Sequence, residues 1–309
     1  MGEPLPKVAL IAGPTASGKS ALALMLAEMH SGTIINADSA QVYRDLRIVT
    51  ARPPAEEEAR APHRLFGHVD AADTGYSAAR WAAEASSEID HAVANGSLPI
   101  LVGGTGLYLR TLIDGIAPVP PIDPDIRARV RAMNLADAYA ELTQVDREQA
   151  ARLNPADTTR IARALEVILS SGRSLAEWRR ERVGGIGDRI ALTATILLPP
   201  RDWLNDRIDR RFAAMVAEGA MEEVAALIAR EDVPLEAPVR RAIGMPELAA
   251  AALGDITLDD AIARASLATR QYAKRQYTWF RNQPPEGWIR TDETDNFTQL
   301  SEIERRLRN

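Results

Sequence analysis

The chain has no cysteine. That absence excludes disulfides, thiolate zinc sites and cysteine nucleophiles together. Histidine is scarce, and His30, His63, His68 and His91 show no metal-ligand spacing, so a histidine metal centre is not expected. No apolar run approaches the ~20 residues of a membrane span, and the opening MGEPLPK lacks the charged-then-apolar layout of a secretion signal. A soluble, cytoplasmic protein with no membrane partner is the expectation. Nor is there an excess of positive charge: the net charge is −6. This weighs mildly against a nucleic-acid partner without excluding one, because local patches set phosphate binding.

What the chain does have is length and apolar content, 309 residues with 46% hydrophobic, enough for a sizeable core. Short apolar runs read as strands at Val8–Ala12, Thr33–Asn36, Leu98–Val102, Ile190–Leu198 and Gly287–Arg290. Continuous runs of this kind suit strands buried on both faces, as in a parallel sheet flanked by helices. APVPPIDPD, residues 117–125, holds four prolines in nine residues and marks a boundary. From there to about Gly185 the pattern is helical and no strand interrupts it. The expected organisation is an α/β core over residues 1–120, a helical insertion over 121–187 and a return to the core over 188–309. The last part reads as helix over Trp203–Arg230, Glu247–Leu253 and Leu258–Asn282.

Directly behind the first strand stands GPTASGKS: Gly13, Pro14, Thr15, Ala16, Ser17, Gly18, Lys19 and Ser20. This completes the G-x-x-x-x-G-K-[ST] phosphate loop, with strand before and helix after, the P-loop NTPase-like arrangement. Backbone N–H groups from Thr15 to Ser20 are expected to face a phosphate at a helix N-terminus. Lys19 would bridge phosphate oxygens, and Ser20 would place its hydroxyl on Mg²⁺. Many such ATPases carry an acid at the end of a second core strand. Here LPILV runs into GGTGLY without one, whereas TIINADS places Asp38 at a strand's carboxyl edge. Asp38 and Thr105 are therefore expected to face the phosphate loop. A carboxylate and a hydroxyl there suit proton abstraction from a nucleophile better than ATP hydrolysis. Asp38 also reads as a helix N-cap, and on the residues alone the two roles are evenly matched.

These stretches resemble a known family. GPTASGKS, NADSAQVYRDLRIVTARP, APHRL, LVGGTGLYL, NPADTTRIARALEV and ATRQYAKRQYTWFR occur in one order, and together they resemble the tRNA dimethylallyltransferases, also called tRNA isopentenyltransferases. The likeness runs from about Lys7 to Trp288. The phosphate loop alone is widely shared, but D-S-x-Q-x-Y, G-G-T and T-R-x-x-A-K-R-Q-x-T-W-x-R in combination are specific. The resemblance implies transfer of the dimethylallyl group from dimethylallyl diphosphate to N6 of the adenosine just 3′ of a tRNA anticodon, with release of pyrophosphate and help from Mg²⁺. It implies Asp38 as the catalytic acid position, Thr105 as a contact to the bridging diphosphate oxygen, and Arg211 as a diphosphate-contacting arginine. It also implies tRNA contact at Asp38, Ser39, Ala40, Gln41 and Thr105, at Arg127 and Thr159, Arg160, Ile161, Ala162 and Arg163, and at Arg240, Arg241, Ala242, Ile243, Gly244 and Met245. Where the family usually has Gly, Lys and Tyr, this chain has Val49, Arg52 and Met245.

An electrostatic footprint for RNA is present despite the acidic total. Residues 261–285 hold five basic residues and no acid. At helical spacing Arg270, Lys274, Tyr277 and Arg281 fall on one stripe, a candidate phosphate-contacting face. Trp178–Arg182, WRRER, is a second cluster, read more readily as a packed charged face. Rival activities are a small-molecule kinase, a prenyltransferase acting on free adenine nucleotides, and a non-catalytic RNA binder. A monomer is expected.

Overall fold

The computed structural model describes residues 4–308. Its larger unit comprises residues 4–112 and 186–308, and its smaller one comprises residues 113–185. The elements in chain order are β1 (Lys7–Ala12), α1 (Lys19–His30), β2 (Thr33–Asn36), α2 (Ala55–Glu58), β3 (His63–Arg64), α3 (Ala78–Ala94), β4 (Pro99–Gly103) and α4 (Gly106–Asp114). Then follow α5 (Pro124–Ala132), α6 (Leu135–Val145), α7 (Arg147–Ala151), α8 (Thr158–Ser171) and α9 (Leu175–Trp178). The chain ends with β5 (Ala191–Leu197), α10 (Arg201–Ala217), α11 (Ala220–Ile228), α12 (Met245–Ala252), α13 (Leu258–Asn282), β6 (Ile289–Thr291) and α14 (Asn296–Arg308).

The larger unit is built on one sheet, all parallel, in the order β3-β2-β4-β1-β5-β6. Every residue of β2 and β4, and all of β1 beyond Lys7, is buried, which is why these strands read as unbroken apolar runs. On one face α1 lays Leu22, Ala23 and Leu26 against Ile11, Ile34 and Ile100, joined by Leu300, Ile303 and Leu307 of α14. On α3, Trp81 is fully buried, stacks on Tyr108 at 4.5 Å and donates its indole N–H to the carbonyl of Asn36 at 2.8 Å. That bond lets a large aromatic be buried without leaving its N–H unpaired. Register places Ala12 beside Gly103 and Ile196, and Asn36 beside Val102. The carboxyl ends of β1, β2 and β4 therefore finish level, and the loops that follow them converge, as expected at the ligand-binding edge of an open α/β sheet.

Several features of the larger unit escaped the sequence reading, α14 among them. The two-residue β3 has too little pattern to show. The stretch read as one helix from Trp203 to Arg230 is two, α10 and α11, because Gly219 sits at φ 107°, a left-handed conformation that ends a helix and that glycine adopts freely. By contrast α13 begins and ends as expected. Thr257 caps it by accepting the Asp260 N–H at 3.1 Å.

The smaller unit carries helices α5 to α9. Val130, Ala138, Leu142, Ala150, Ile161, Ala164 and Leu165 form its core. Glu166 is buried there, and Arg131 donates to it at 3.1 Å.

Candidate active site

The phosphate loop leaves β1 and delivers Lys19 and Ser20 into the first turn of α1. It borders a cavity of about 670 Å³ that is also lined by Asp38, by the segment 47–54, and by Arg207, Arg210 and Arg211 of α10. A smaller cavity of about 210 Å³ is lined by Ser39, Ala40, Val49, Ile208, Phe212, Arg241, Ala242, Ile243, Thr269 and Tyr272. Thr15, Asp38, Thr50, Arg211 and Met215 border both cavities. The junction is thus a carboxylate, two hydroxyls, a guanidinium and a thioether, with a polar chamber on one side and a more apolar one on the other.

Charge in the larger chamber is mostly positive: Lys19, Arg47, Arg52, Arg207, Arg210 and Arg211 face Asp38, Glu57 and Glu218. Lys19 donates to the Pro14 carbonyl at 2.8 Å. Burial lowers its pKa to about 8, with the Asp38 charge opposing and Arg211 adding to the fall. Arg211 is lowered to about 10 by burial and then by Arg207, and Asp38 opposes this too. Both cations are held without enough counter-charge, so an anion entering the chamber meets favourable, pre-oriented partners. Arg211 reaches the loop itself, donating to Thr15 Oγ1 at 2.6 Å. Arg207, one turn earlier, donates to the Ala16 carbonyl at 3.1 Å and stacks over Trp203. Asp209, on the same helix, pairs with Arg270 and not with Arg211.

Asp38 lies two residues beyond the end of β2. Its N–H donates to the Asn36 side chain at 2.8 Å, and its Oδ1 accepts the Ala40 N–H at 2.9 Å. Asn36 is fully buried and also donates to the carbonyls of Asp38 and Leu65. The turn is thereby fixed, and Asp38 carries a turn-capping bond in the same place where it faces the cavity. Thr105 bonds the next residue of this turn and, contrary to expectation, is not among the residues lining either cavity. Its Oγ1 accepts the Ser39 N–H at 2.9 Å and lies 3.2 Å from the Ser39 hydroxyl. Gly103 explains how close these loops come: a Cβ there would lie 2.2 Å from the Ala37 carbonyl.

Three residues in the site were missed from sequence. Gln276 of α13 accepts the Thr15 N–H at 2.8 Å and donates to the Gly104 carbonyl at 2.9 Å. Tyr272, one turn earlier, hydrogen-bonds Thr105, and burial pushes its phenol pKa up. Glu223 of α11 takes the N–H groups of Arg47, Ile48 and Val49. The first two lie opposite the basic stripe at i,i+4 spacing, a signal that was available; Glu223 had none. The expectation that every N–H from Thr15 to Ser20 faces the phosphate is narrowed. Thr15 gives its N–H to Gln276, and Ser17 gives its N–H to the Pro14 carbonyl at 3.3 Å.

The remaining candidates are distributed as follows. Gln41 donates to the carbonyls of Thr50 and Ala51, at 2.9 and 2.8 Å. Arg241, Ala242 and Ile243 line the smaller cavity, whereas Arg240 donates to the backbone of Val233 and Pro234 and Met245 is a core residue. Gly244 lies at φ 93° at the start of α12. In the smaller unit Arg127, Thr159 and Arg160 are exposed, Ala162 and Arg163 are half-buried, and Ile161 is wholly in the core. On α13, Lys274 and Arg281 are exposed, and Arg270 pairs with Asp209. Lys274, Arg270, Arg201 and Tyr277 line a further surface cavity. In the WRRER segment, Trp178 lies under Arg173, Glu181 pairs with Arg173, and Arg182 pairs with Asp114, and residues 179–182 are exposed, a paired surface in place of the packed face expected.

The fold and this site define a phosphate-loop protein of the parallel α/β class. A family model described as IPP transferase matches residues 41–283, and the chain belongs to that family. It is 57% identical to a tRNA dimethylallyltransferase of Sphingopyxis alaskensis over 97% of this chain and 98% of that one. It is 54% identical to a tRNA dimethylallyltransferase of Erythrobacter litoralis over 94% and 92%. Among solved structures it resembles the full-length tRNA isopentenylpyrophosphate transferase of Bacillus halodurans, at 34% identity, 98% and 95% coverage and a TM-score of 0.69. It also resembles a eukaryotic dimethylallyltransferase acting on tRNA, at 30% identity, 89% and 70% coverage and a TM-score of 0.77. Among the described residues no helix is long and apolar enough to cross a membrane.

Proposed function

We propose that the chain transfers the dimethylallyl group of dimethylallyl diphosphate to N6 of the adenosine immediately 3′ of a tRNA anticodon, and releases pyrophosphate. The observation that carries this reading is the junction of the two cavities, where Asp38, Thr15 and Arg211 stand together. The larger, cationic chamber suits the diphosphate. The smaller chamber, bordered by Ser39, Ala40 and Arg241–Ile243, suits the adenosine.

In the transfer, a C–N bond forms between N6 and the allylic carbon while the carbon–oxygen bond to the diphosphate breaks. Asp38 accepts the N6 proton, a role worth ~10²–10⁴-fold for a positioned base. Thr105 orients the approaching amine and the bridging oxygen. Lys19 and Arg211 meet charge that grows on the leaving group, so they favour the transition state over the ground state. Remaining N–H groups of residues 16–20 hold the diphosphate at the start of α1.

A magnesium ion fits the donor set, because Ser20 and Asp38 put only hard oxygens on the chamber wall. Ser20 would hold it, and it would neutralise charge on the leaving group. For tRNA itself the exposed face of α13 (Lys274 and Arg281) and the arginines of the smaller unit (Arg127, Arg160 and Arg163) are the proposed phosphate contacts. The protein is proposed to act as a cytoplasmic monomer.

Incubation of the purified chain with unmodified tRNA and dimethylallyl diphosphate, followed by mass analysis of the nucleosides, tests this directly. Prenylated adenosine is expected only when both substrates are present. ATP consumption with no such product would favour a kinase, and prenylated free nucleotide without prenylated tRNA would favour the small-molecule acceptor.

A further inference from the structure

We infer that Glu223 is a positioning residue for the site. Its carboxylate anchors the segment 47–50, the wall common to both chambers, and so sets the geometry in which the substrates meet. It stands in the first turn of α11, far from that segment in sequence. The N–H groups of Arg47, Ile48 and Val49 all converge on it, Ile48 at 3.0 Å from each oxygen and Val49 at 2.9 Å. Three successive amides on one anion form the kind of backbone nest that usually receives a phosphate. Here the protein fills the nest with its own side chain. The far end of the segment is tied separately, by Gln41 to the carbonyls of Thr50 and Ala51. Ala51, whose carbonyl is one of the two that Gln41 holds, has a positive φ of 53°. The segment is a turn closed by its own backbone bonds, Ala51 N–H to the Ile48 carbonyl and Arg52 N–H to the Arg47 carbonyl, each at 2.9 Å, and the side-chain anchors fix where that turn sits. Thr50 borders both chambers, and Val49 is buried against the smaller one.

Chemistry separates the carboxylate from its nearest mimic. A carboxylate only accepts, whereas an amide has one accepting oxygen and an NH₂ that donates. In Glu223→Gln, one outer amide of the triplet faces a donor and loses its partner. The segment then loosens while the helix and its packing stay intact.

The kinetic part of the test rests on the transfer reading above; the structural part does not. Trypsin cleaves after arginine except before proline, so Arg47, followed by Ile48, is the reporter site within the segment, whereas Arg52 precedes Pro53 and is not cut. Glu223→Gln is expected to be cut there about tenfold faster than the parent chain or the exposed neighbour Glu222→Gln, because local opening governs access. In prenyl transfer, kcat/KM of Glu223→Gln is expected to fall about tenfold or more, since small misplacement of reacting groups is costly, with the melting temperature near that of the parent. Glu223→Asp keeps both accepting oxygens on a shorter stem and is expected to recover part of the loss; it also serves should the glutamine variant not fold. Cleavage and kinetics within twofold of the parent for a folded variant overturn the assignment. So does a variant that only melts earlier with unchanged kinetic constants. A parent chain that transfers nothing defeats the transfer reading and leaves the trypsin comparison standing.

Discussion

Gln276 accepts the N–H of Thr15 and donates to the carbonyl of Gly104. One buried amide thereby joins the phosphate loop after β1 to the loop after β4 that carries Thr105. Glu at this position keeps the acceptor for Thr15 but turns a second acceptor toward the Gly104 oxygen. Gln276→Glu is expected to lose about 1–3 kcal/mol of stability, the usual cost of an unmatched buried polar pair. Urea denaturation of the two proteins measures it.

Asp38 combines a turn-capping bond with a place at the junction. Asp38→Asn keeps the oxygen for the Ala40 N–H and removes the base. Turnover is expected to drop ~10²-fold or more, with tRNA affinity preserved. Single-turnover assays beside filter binding give both quantities, and an unchanged rate would remove Asp38 as the base.

Arg211 bonds Thr15 and faces the cationic chamber. Lysine would reach the chamber as a point charge but lacks the fork that serves Thr15 and a diphosphate together. Arg211→Lys is expected to reduce turnover ~10²-fold, comparable to losing one transition-state donor elsewhere. Steady-state kinetics with dimethylallyl diphosphate varied would show it mainly in kcat.

The pH dependence follows from Lys19. Burial holds its pKa near 8, below the ordinary 10.5. In the free protein its charge is lost as pH rises through about 8, so KM for the diphosphate is expected to climb between pH 7 and 9. Folding responds with the opposite sign. Between about 8 and 10.5 the unfolded chain binds a proton here that the folded chain does not, so ligand-free stability gains from Lys19 as pH rises through that window. Lys19→Met should abolish both trends, read from pH–rate profiles and pH-dependent melting.

The basic stripe is not uniform. Arg270 is paired with Asp209 while Lys274 is exposed. Removing Lys274 should flatten the salt dependence of tRNA binding by about 0.7 in log–log slope, the single-strand value per phosphate contact. Arg270→Ala frees Asp209 and should weaken binding through repulsion. Titrations across a salt series separate the two, and an unchanged slope for Lys274→Ala would exclude it as a phosphate contact.

Much of this was legible in the sequence for physical reasons. Strands buried on both faces leave unbroken apolar runs, so β1, β2, β4 and β5 appeared within a residue or two of their true ends. The phosphate loop is a local motif, and Asp38 was found because its strand is short and the acid follows two residues on. Illegible were the features made by contacts between distant residues. Glu223 is an ordinary helix residue until the fold brings backbone amides to it, and the spacing of Gln276 from Tyr272 marked an inward face without showing the Thr15 N–H and Gly104 carbonyl it bonds. Arg240 and Arg270 looked like free cations because their partners lie on other turns or other helices. Ile161 sits in a stretch tied to RNA by resemblance, yet its place is decided by the packing of α8.

Gly103 presses on the Ala37 carbonyl, and Gly104 leaves room for the Gln276 amide; a Cβ at either would meet those atoms at 2.2 Å. That rim of the site is bare main chain and offers nothing to tune. Efforts to reshape the smaller chamber, where the acceptor is proposed to sit, must therefore turn to its other lining, where Val49, Phe212 and Met215 are the adjustable parts.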